Sequence, residues 1–174
     1  MELWDVYDVD RHKTGKITKR GDPLKKDEFR LVVHVCIFNH QGEMLIQQRQ
    51  PFKKGWSNMW DISIGGHAQS GDSSQLAAMR EVSEELGLSI DLSNIRPHLS
   101  INFDGGFDDI YLITTDIDIN TLTLQYEEVQ QAKWASYEEI KSMINEGIFI
   151  PYHKSLIQLL FDMRQQYGAH QPKI

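Results

Sequence analysis

The sequence contains one cysteine, Cys36, among its 174 residues, so an intramolecular disulfide is excluded. No apolar run approaches the roughly 18 residues of a membrane-spanning helix, and the acidic start, MELWDVYDVD, lacks the apolar core of a secretory signal. Basic residues are scarce, with 18 Lys and Arg against 25 Asp and Glu and a net charge of −7. We therefore expect a cytoplasmic protein with no nucleic-acid or membrane partner.

Apolar residues make up 40% of the chain, which is enough to bury one sizeable core. No internal repeat, low-complexity segment or change in composition divides the sequence. We therefore predict a single domain over residues 1–174. In so acidic a chain, an anionic ligand would need cations placed close to its site.

The first half of the sequence is rich in predicted strands. Alternating polarity over Glu2–Val9, followed by a turn and a short return over Lys16–Lys19, predicts an N-terminal β-hairpin within residues 1–20. The β-branched segment Arg30–Phe38 predicts a buried strand, and Met44–Arg49 predicts its returning partner.

Two residues of the first buried strand carry reactive side chains, and both are predicted to belong to the core. His34 is expected to be hydrogen-bonded within the core rather than to be a ligand. Cys36 has no basic residue close to it in sequence, so we interpret it as packing.

The second half combines strands and helices. Trp60–Ile64 predicts a short strand that enters a turn at Gly65 and Gly66, and a helix follows between the N-cap Ser73 and Gly87. Further strands are predicted at Pro97–Phe103, Ile110–Thr115 and 132–134, Leu122–Tyr126 is ambiguous, and two helices follow within about 136–167, one capped by Ser136 and one beginning at Pro151. This order predicts an α+β fold, an α/β/α sandwich with a mixed sheet.

The helix that follows the two glycines has two contrasting faces. At spacings of three and four residues, Glu81, Glu84 and Glu85 share one face. The opposite face of this helix carries the apolar residues Leu76, Met79, Val82 and Leu86. The last helix has a similar apolar face, formed by Leu156, Leu159, Leu160 and Met163. We expect the carboxylates to face outwards, with Ala77 and Ala78 leaving room for a ligand beside them.

Three neighbouring carboxylates near a helix C-terminus are unfavourable by themselves, because like charges repel each other and the helix dipole disfavours them. A hard divalent cation with oxygen ligands would reverse this penalty. The alternative is a solvated helix face without a ligand, which is common for runs of charge.

The spacing around this helix distinguishes these alternatives. Gly66, Asp72, Arg80-Glu81-Val82, Glu84-Glu85 and Gly87-Leu88 resemble the Nudix box, G-x5-E-x7-R-E-U-x-E-E-x-G-U, in which U is aliphatic. Six of seven fixed positions match over residues 66–88, and chance odds are on the order of 10⁻⁷ per starting point. The departure is Asp72 in place of the first Glu, which changes the support of Arg80 and leaves the ligand set intact.

The resemblance implies the Nudix fold and a hydrolase that cleaves a diphosphate linkage with Mg²⁺, or Mn²⁺ as a substitute. In this family Glu85 would be the principal metal ligand and Glu84 a second, together with the backbone carbonyl of Gly65. Glu81 would be a further ligand or the general base, oriented by Arg80.

Acidic residues outside the box are further candidates for the base. By resemblance to the family, Glu127 or Glu128 would take this role, with Glu128 preferred and a solvated loop as the alternative. Asp108 and Asp109 are weaker choices.

A narrower resemblance, from Arg30 to Trp134, is to the isopentenyl-diphosphate isomerase branch of the fold. It is carried by FNHQGEMLIQQRQPFKKGW and GGHAQSGD. By this likeness Arg49 and Lys53 would contact the diphosphate, whereas the alternative for Lys53 and Lys54 is an exposed loop.

The isomerase reaction itself does not transfer, because Gly65 stands where that branch has its catalytic cysteine. Of the isomerase's metal-binding histidines, only His67 remains. The expected activity is therefore hydrolysis of a nucleoside diphosphate derivative or a similar small pyrophosphate, with an isomerase or a non-catalytic nucleotide sensor as alternatives. A homodimer paired through the hairpin is a further expectation, and the aromatic candidates for base stacking are Phe52, Trp56, Trp60, Phe107 and Tyr111.

Overall fold

The protein, described over residues 2–171 of a computed structural model, is built from nine strands and three α-helices within that range. The strands are β1 (Leu3–Tyr7), β2 (Lys13–Lys19), β3 (Arg30–Phe38), β4 (Met44–Arg49), β5 (Trp60–Asp61), β6 (Ile64–His67), β7 (Leu99–Phe103), β8 (Gly106–Thr114) and β9 (Val129–Ala135). The helices are α1 (Ser74–Leu86), α2 (Tyr137–Asn145) and α3 (Lys154–Met163), with one 3₁₀ turn at Ile119–Thr121.

Strands β1 and β2 form the predicted N-terminal hairpin, although β2 begins at Lys13 rather than at Lys16. The predictions for β3 and β4 are confirmed at both ends. The remaining strands join β3 and β4 in one sheet with the order β5-β4-β3-β8-β7, in which β6 also pairs with β3 and β9 with β4. Because β3 and β8 are parallel and the other pairs are antiparallel, the sheet is mixed, as predicted.

Each face of this sheet is covered by helices. On one face, α1 packs through Ala77, Ala78 and Val82 against Val33 and Val35 of β3. On the other face, α2 and α3 pack against β3, β4 and β8 through side chains that include Ile140, Met143, Ile157, Leu160 and Phe161. The two apolar layers give the expected α/β/α arrangement, and Cys36 is fully buried in the second, as predicted.

The structure corrects the prediction of one strand followed by a glycine turn. Instead of a continuous strand over Trp60–Ile64, the chain forms β5, a break at residues 62–63, and β6. Gly65 and Gly66 lie inside β6, paired with His34 and Val33 of β3. Glycine is needed here because other side chains approach its backbone, and not because the chain turns.

The caps of α1 are confirmed. The Ser73 hydroxyl accepts a hydrogen bond from the Leu76 amide, and Gly87 ends the helix with a φ of 68°. A left-handed residue at this position satisfies the last carbonyls of the helix and is adopted by glycine without strain.

The predicted orientation of α1 is wrong in part, because Val82 and Leu86 are buried and Met79 packs against the core as expected, but other residues depart from the prediction. Leu76 is 53% exposed, whereas Ala77, Ala78 and Glu85 are buried. The two alanines let the helix approach the sheet closely, so they form the contact face instead of leaving room for a ligand. This rotation turns Glu85 inwards, towards β4.

Helix α2 begins after Ser136 and ends before Gly147, as predicted. Helix α3 begins at Lys154, three residues after Pro151, and ends at Met163. Its buried face carries Ile157 and Phe161, and Leu159 is 38% exposed, so the predicted leucine face is wrong in part. No regular strand forms at Leu122–Tyr126, and β8 begins earlier than predicted, at Gly106.

None of the helices described within residues 2–171 has the length and apolarity that crossing a membrane requires. The predicted single domain over 1–174 stays a prediction, and its ends at residues 1 and 172–174 lie outside the described residues. The same holds for the first residue of the hairpin range 1–20.

Candidate active site

A cleft of about 670 Å³ opens where β4 and β6 separate along the same edge of β3. Residues from every part of the chain line it: Glu2, Arg20, Val32, His34, Arg49, Trp56, Asp61, Gly65, Gly66, His67, Gln69, Arg80, Glu81, Glu84, Glu85, Gln125, Glu128, Ile150, Pro151 and Tyr152. All three glutamates of the box therefore face one cavity, together with the predicted Arg49 and Glu128.

Glu85 is the most deeply buried of the box carboxylates, with 5% of its surface exposed. The side-chain amide of Gln47 on β4 donates a hydrogen bond to its Oε2 at 2.9 Å. Burial, reinforced by the nearby charge of Glu81, raises its pKa to about 8. A carboxylate held this way favours a cationic ligand, because a bound cation offsets the burial and the repulsion as protonation does.

Arg80 organises the carboxylates around it. Its Nη1 donates to Glu81 at 2.9 Å and to Glu84 at 3.2 Å. Its Nη2 donates to the backbone carbonyl of His67 at 2.9 Å and to Asp72 at 3.1 Å. The aspartate at the irregular box position therefore does pair with the arginine, so the shorter side chain preserves this support.

Glu81 lies between Arg80 and Gly66. A Cβ atom at residue 66 would overlap the carboxyl group of Glu81, so the box requires a glycine there. Burial raises the pKa of Glu81 to about 7, although Arg80 opposes this shift. A carboxyl group that titrates near neutrality is suited to accept a proton in a reaction at pH 7.

The donor set fits a hard divalent cation, since the box carboxylates supply oxygen ligands, whereas the imidazoles of the cleft have other partners: His67 stacks on Trp4 and His34 is bonded to Asp108. Within residues 2–171, however, no group of three or more acidic, histidine or cysteine side chains forms a compact metal cluster. Glu84 is 46% exposed and bound to Arg80, so cation binding would draw it away from the guanidinium.

The wall formed by residues 49–58 and 125–128, here called the loop wall, holds the predicted phosphate contacts. Arg49 lines the cleft, donates to the carbonyl of Gly55 at 3.2 Å and, within residues 2–171, has no carboxylate at ion-pair distance. Lys53 instead pairs with Glu128 at 2.5 Å, which joins the two segments of the wall. Glu128 lines the cleft, whereas its neighbour Glu127 is exposed.

His34 is hydrogen-bonded as predicted, through Nδ1 to Asp108 at 2.7 Å, but it also lines the cleft. A Cβ atom at Gly65 would lie 2.6 Å from its ring. The imidazole therefore occupies the space that a side chain at residue 65, such as the isomerase cysteine, would need. Asp109, which follows Asp108 in sequence, is fully buried and does not line the cleft. It is hydrogen-bonded to Arg11, Ser74 and Ser100.

Several residues of the site were missed by sequence reasoning, among them Gln47, which supports Glu85, and the cleft residues Asp61 and Tyr152. Asp61 is buried and accepts a hydrogen bond from the Tyr152 hydroxyl at 2.9 Å. A signal for Gln47 exists: along β4, alternate residues change from Leu45 to Gln47 to Arg49, which indicates that one face leaves the core and enters a polar cavity. Nothing in the local sequence links Tyr152 to Asp61.

The aromatic candidates separate into two groups. Trp60, Phe107 and Tyr111 are buried in the core, whereas Phe52 and Trp56 are 56% and 51% exposed at the loop wall. Tyr126, 72% exposed, lies 5.8 Å from Phe52 between ring centres. Of these aromatic residues, Trp56 is the one that lines the cleft within the described residues.

Comparison with known proteins agrees with the motif. Residues 28–159 match the NUDIX domain. An uncharacterized Nudix hydrolase of Listeria monocytogenes is 46% identical over 98% of this chain and 99% of its own length. A more distant relative, isopentenyl-diphosphate Delta-isomerase of Salmonella arizonae, is 30% identical over 78% of this chain and 77% of its own.

Solved structures with a similar fold agree with these sequence relatives. A crystal structure from Deinococcus radiodurans superposes with a TM-score of 0.73 and 27% identity, covering 91% of this chain and 97% of that one. A MutT protein structure from Methanosarcina mazei, 18% identical with a TM-score of 0.61, shows the shared fold alone over 79% of this chain and 96% of its own. With its box, its fold and its relatives in agreement, the chain belongs to the Nudix family and is a Nudix hydrolase.

Proposed function

We propose that this protein hydrolyses the diphosphate linkage of a nucleoside diphosphate derivative or a similar small pyrophosphate, with Mg²⁺ as its cofactor and Mn²⁺ as a substitute. The observation that carries the proposal is the cleft shared by Glu81, Glu84, Glu85 and the cation Arg49. Carboxylates that favour a metal and an arginine that favours a phosphate are the two requirements of metal-assisted phosphoryl chemistry.

Glu85, Glu84, Glu81 and the Gly65 carbonyl are the groups that would hold the metal. Once bound, the metal neutralises the diphosphate oxygens and lowers the pKa of water. Gln47 keeps Glu85 in place through its 2.9 Å hydrogen bond, as outer hydrogen-bond partners do in other metal sites.

The other residues of the cleft bind the substrate and move the proton. Arg49 binds a phosphate through its guanidinium. Lys53 binds the same phosphate once its ammonium group has left Glu128. Glu128 is the preferred base for the attacking water, with Glu81 as the alternative. Arg80 fixes the orientation of Glu81 in either case. A cytoplasmic location and a homodimer stay predictions.

The function is tested by incubating the protein with Mg²⁺ or Mn²⁺ and a panel of nucleoside diphosphates, nucleoside triphosphates, nucleotide sugars, dinucleotides and prenyl diphosphates. We expect release of a phosphate-containing product from at least one nucleoside compound. Proton exchange in a prenyl diphosphate without phosphate release, or tight nucleotide binding without product, would contradict the proposal.

The metal role of Glu85 is tested by Glu85→Gln, which should lower kcat about a hundredfold or more on the substrate found. Glu138→Gln is the control, because Glu138 lies on α2 in an exposed pair with Lys141. Full turnover by Glu85→Gln would show that Glu85 is not the main ligand.

The choice of base is tested by comparing Glu128→Gln with Glu127→Gln. Adjacent in sequence, the two residues differ in that only Glu128 lines the cleft. We expect a loss of about 10²-fold in kcat for the first and little change for the second. Equal kcat values for the two variants would leave Glu81 as the base.

A further inference from the structure

The N-terminal hairpin lies outside the part of the chain that matches the NUDIX domain, since that match begins at residue 28. Two of its residues, Glu2 and Arg20, nevertheless line the cleft together with Gly66 and Glu81 of the box. They sit at the open end of the hairpin, where the Arg20 amide donates to the Glu2 carbonyl at 3.0 Å. We call this side of the cleft the hairpin wall.

The hairpin wall is firmly attached to the box. The Ser70 amide donates to the Leu3 carbonyl at 2.7 Å, and the carboxylate of Asp5 accepts from the Ser70 hydroxyl and the Gly71 amide, both at 2.9 Å. The Trp4 ring stacks on His67 with centroids 4.3 Å apart. Since these contacts fix the strand that precedes α1 and the loop between them, Arg20 is held at a defined place beside the box carboxylates.

The two walls present different chemistry to a ligand. At the loop wall, the exposed Trp56 lines the cleft together with Arg49, and Phe52 and Tyr126 are further exposed rings of the same wall, so this wall suits the organic part of a substrate. At the hairpin wall the aromatic Trp4 is 6% exposed and covered by His67, and the groups that face the cleft are the charged Glu2 and Arg20. This wall suits a charged end of the substrate.

Arg20 is able to exchange its partner. Its Nη1 is 2.8 Å from Glu2 Oε2, and 56% of its side chain is exposed, so this ion pair contributes little. Glu2 keeps a second partner, because the Trp4 Nε1 donates to its Oε1 at 2.8 Å. A phosphoryl group with two negative charges and a bidentate geometry would compete well for the guanidinium.

We propose that Arg20 binds the terminal, unesterified phosphoryl group of the substrate, with the organic group directed to the loop wall. This inference rests on the proposed function and narrows it to substrates with a free phosphoryl end, such as nucleoside diphosphates. Compounds whose diphosphate is esterified at both ends lack the group that Arg20 recognises.

The test is calorimetric titration in Mg²⁺ with two probes: adenosine 5′-(α,β-methylene)diphosphate, whose bridging carbon resists hydrolysis, and the same compound methylated on its terminal phosphate. Arg20→Gln should weaken binding of the free analogue about tenfold and leave binding of the methyl ester unchanged. Arg20→Lys should retain a preference for the free analogue, because it keeps the charge.

Two further variants separate recognition from folding. Lys16→Gln removes a cation from the same strand, one that is paired with Glu28 outside the cleft, and should change neither affinity. Glu2→Gln should strengthen binding of the free analogue, because it frees Arg20, whereas a purely structural ion pair would give weaker binding.

The outcomes distinguish the two levels of the proposal. Unchanged affinity of Arg20→Gln for the free analogue, or an equal loss for both probes, would overturn the role of Arg20 while the hydrolase assignment stands. Wild-type protein that binds neither probe would overturn the nucleoside diphosphate assignment itself, and the role of Arg20 with it.

Discussion

The hairpin wall and the loop wall enclose the same carboxylates but are built in different ways. Residues 2–20 attach to the box through the backbone hydrogen bond from Ser70 to Leu3, the bonds that Asp5 accepts and a stacked Trp4–His67 pair. Residues 49–58 are joined to residues 125–129 by the Lys53–Glu128 pair and by Gln50, which donates its amide to the Glu128 carbonyl and its side chain to the Val129 carbonyl, and Trp56 there has a φ of 50°. One wall is therefore a fixed charged surface, and the other is an exposed aromatic surface.

This difference indicates a division of roles. In the proposed function the floor between the walls carries the chemistry, and its residues lie in a short motif. The walls come from separate parts of the chain, so they are free to differ between relatives and to select the substrate. Substitutions in the floor and in each wall should therefore have different effects on activity, binding and stability.

The largest effect is expected at the floor, from Gly66→Ala. The added Cβ would overlap the Glu81 carboxyl group and displace it, and a displacement of about 1 Å at a reacting group costs about 10²-fold in rate. The matched control is Gly55→Ala in the loop wall, where an added Cβ meets no heavy atom within 4 Å. Steady-state kinetics should show a hundredfold lower kcat for the first variant alone, and equal rates for both would show that the floor tolerates displacement of Glu81.

An intermediate effect is expected at the loop wall, from Trp56→Ala. Loss of an aromatic surface that stacks on a base weakens binding by about tenfold. The free analogue and its methyl ester should lose affinity equally, because both carry the same base. Tyr167→Ala is the control, since Tyr167 is an exposed aromatic outside this cleft. A loss limited to the free analogue would assign the charged end, rather than the base, to the loop wall.

The smallest effect on activity, and a measurable one on stability, is expected at the hairpin wall from Asp5→Asn. Its carboxylate pairs with Lys13 at 2.7 Å and accepts bonds from Ser70 and Gly71. Burial favours a higher pKa for Asp5, but these hydrogen bonds outweigh it and the pKa is lowered below 3.8. The variant should lose about 1–2 kcal/mol of unfolding free energy at pH 7.

The lowered pKa of Asp5 predicts how its contribution to the free energy of unfolding changes with pH. A carboxyl group with a lowered pKa in the folded state stabilises the protein above its unfolded pKa of about 3.8, and this contribution disappears as the pH falls through the folded value. Denaturant unfolding of wild type and Asp5→Asn should therefore converge below about pH 3.8. A difference in unfolding free energy between the two proteins that stays constant from pH 7 to pH 3 would show that the charge of the Asp5 carboxylate does not stabilise the hairpin.

Local patterns predicted much of the fold. The β-branched, largely apolar composition of β3, the Ser73 and Gly87 caps of α1 and the Ser136 cap of α2 depend on residues close in sequence, so they were predicted correctly. The strand at Gly65 and Gly66 was not, because these glycines are required by His34 and Glu81, which approach from β3 and α1. A glycine alone does not distinguish a turn from a close approach.

In the candidate site, too, features that depend on local sequence were predictable and features that depend on distant residues were not. The sequence by itself determined the family, the three box carboxylates, the caps of their helix and the presence of Arg49, because motif spacing and helical periodicity are local properties. Only the tertiary structure decided that Glu85 is buried against Gln47, that Ala77 and Ala78 form the contact face, and that Glu2 and Arg20 reach the cleft. These facts depend on how α1 is rotated against the sheet and where the hairpin docks, and both are set by packing between residues far apart in the chain.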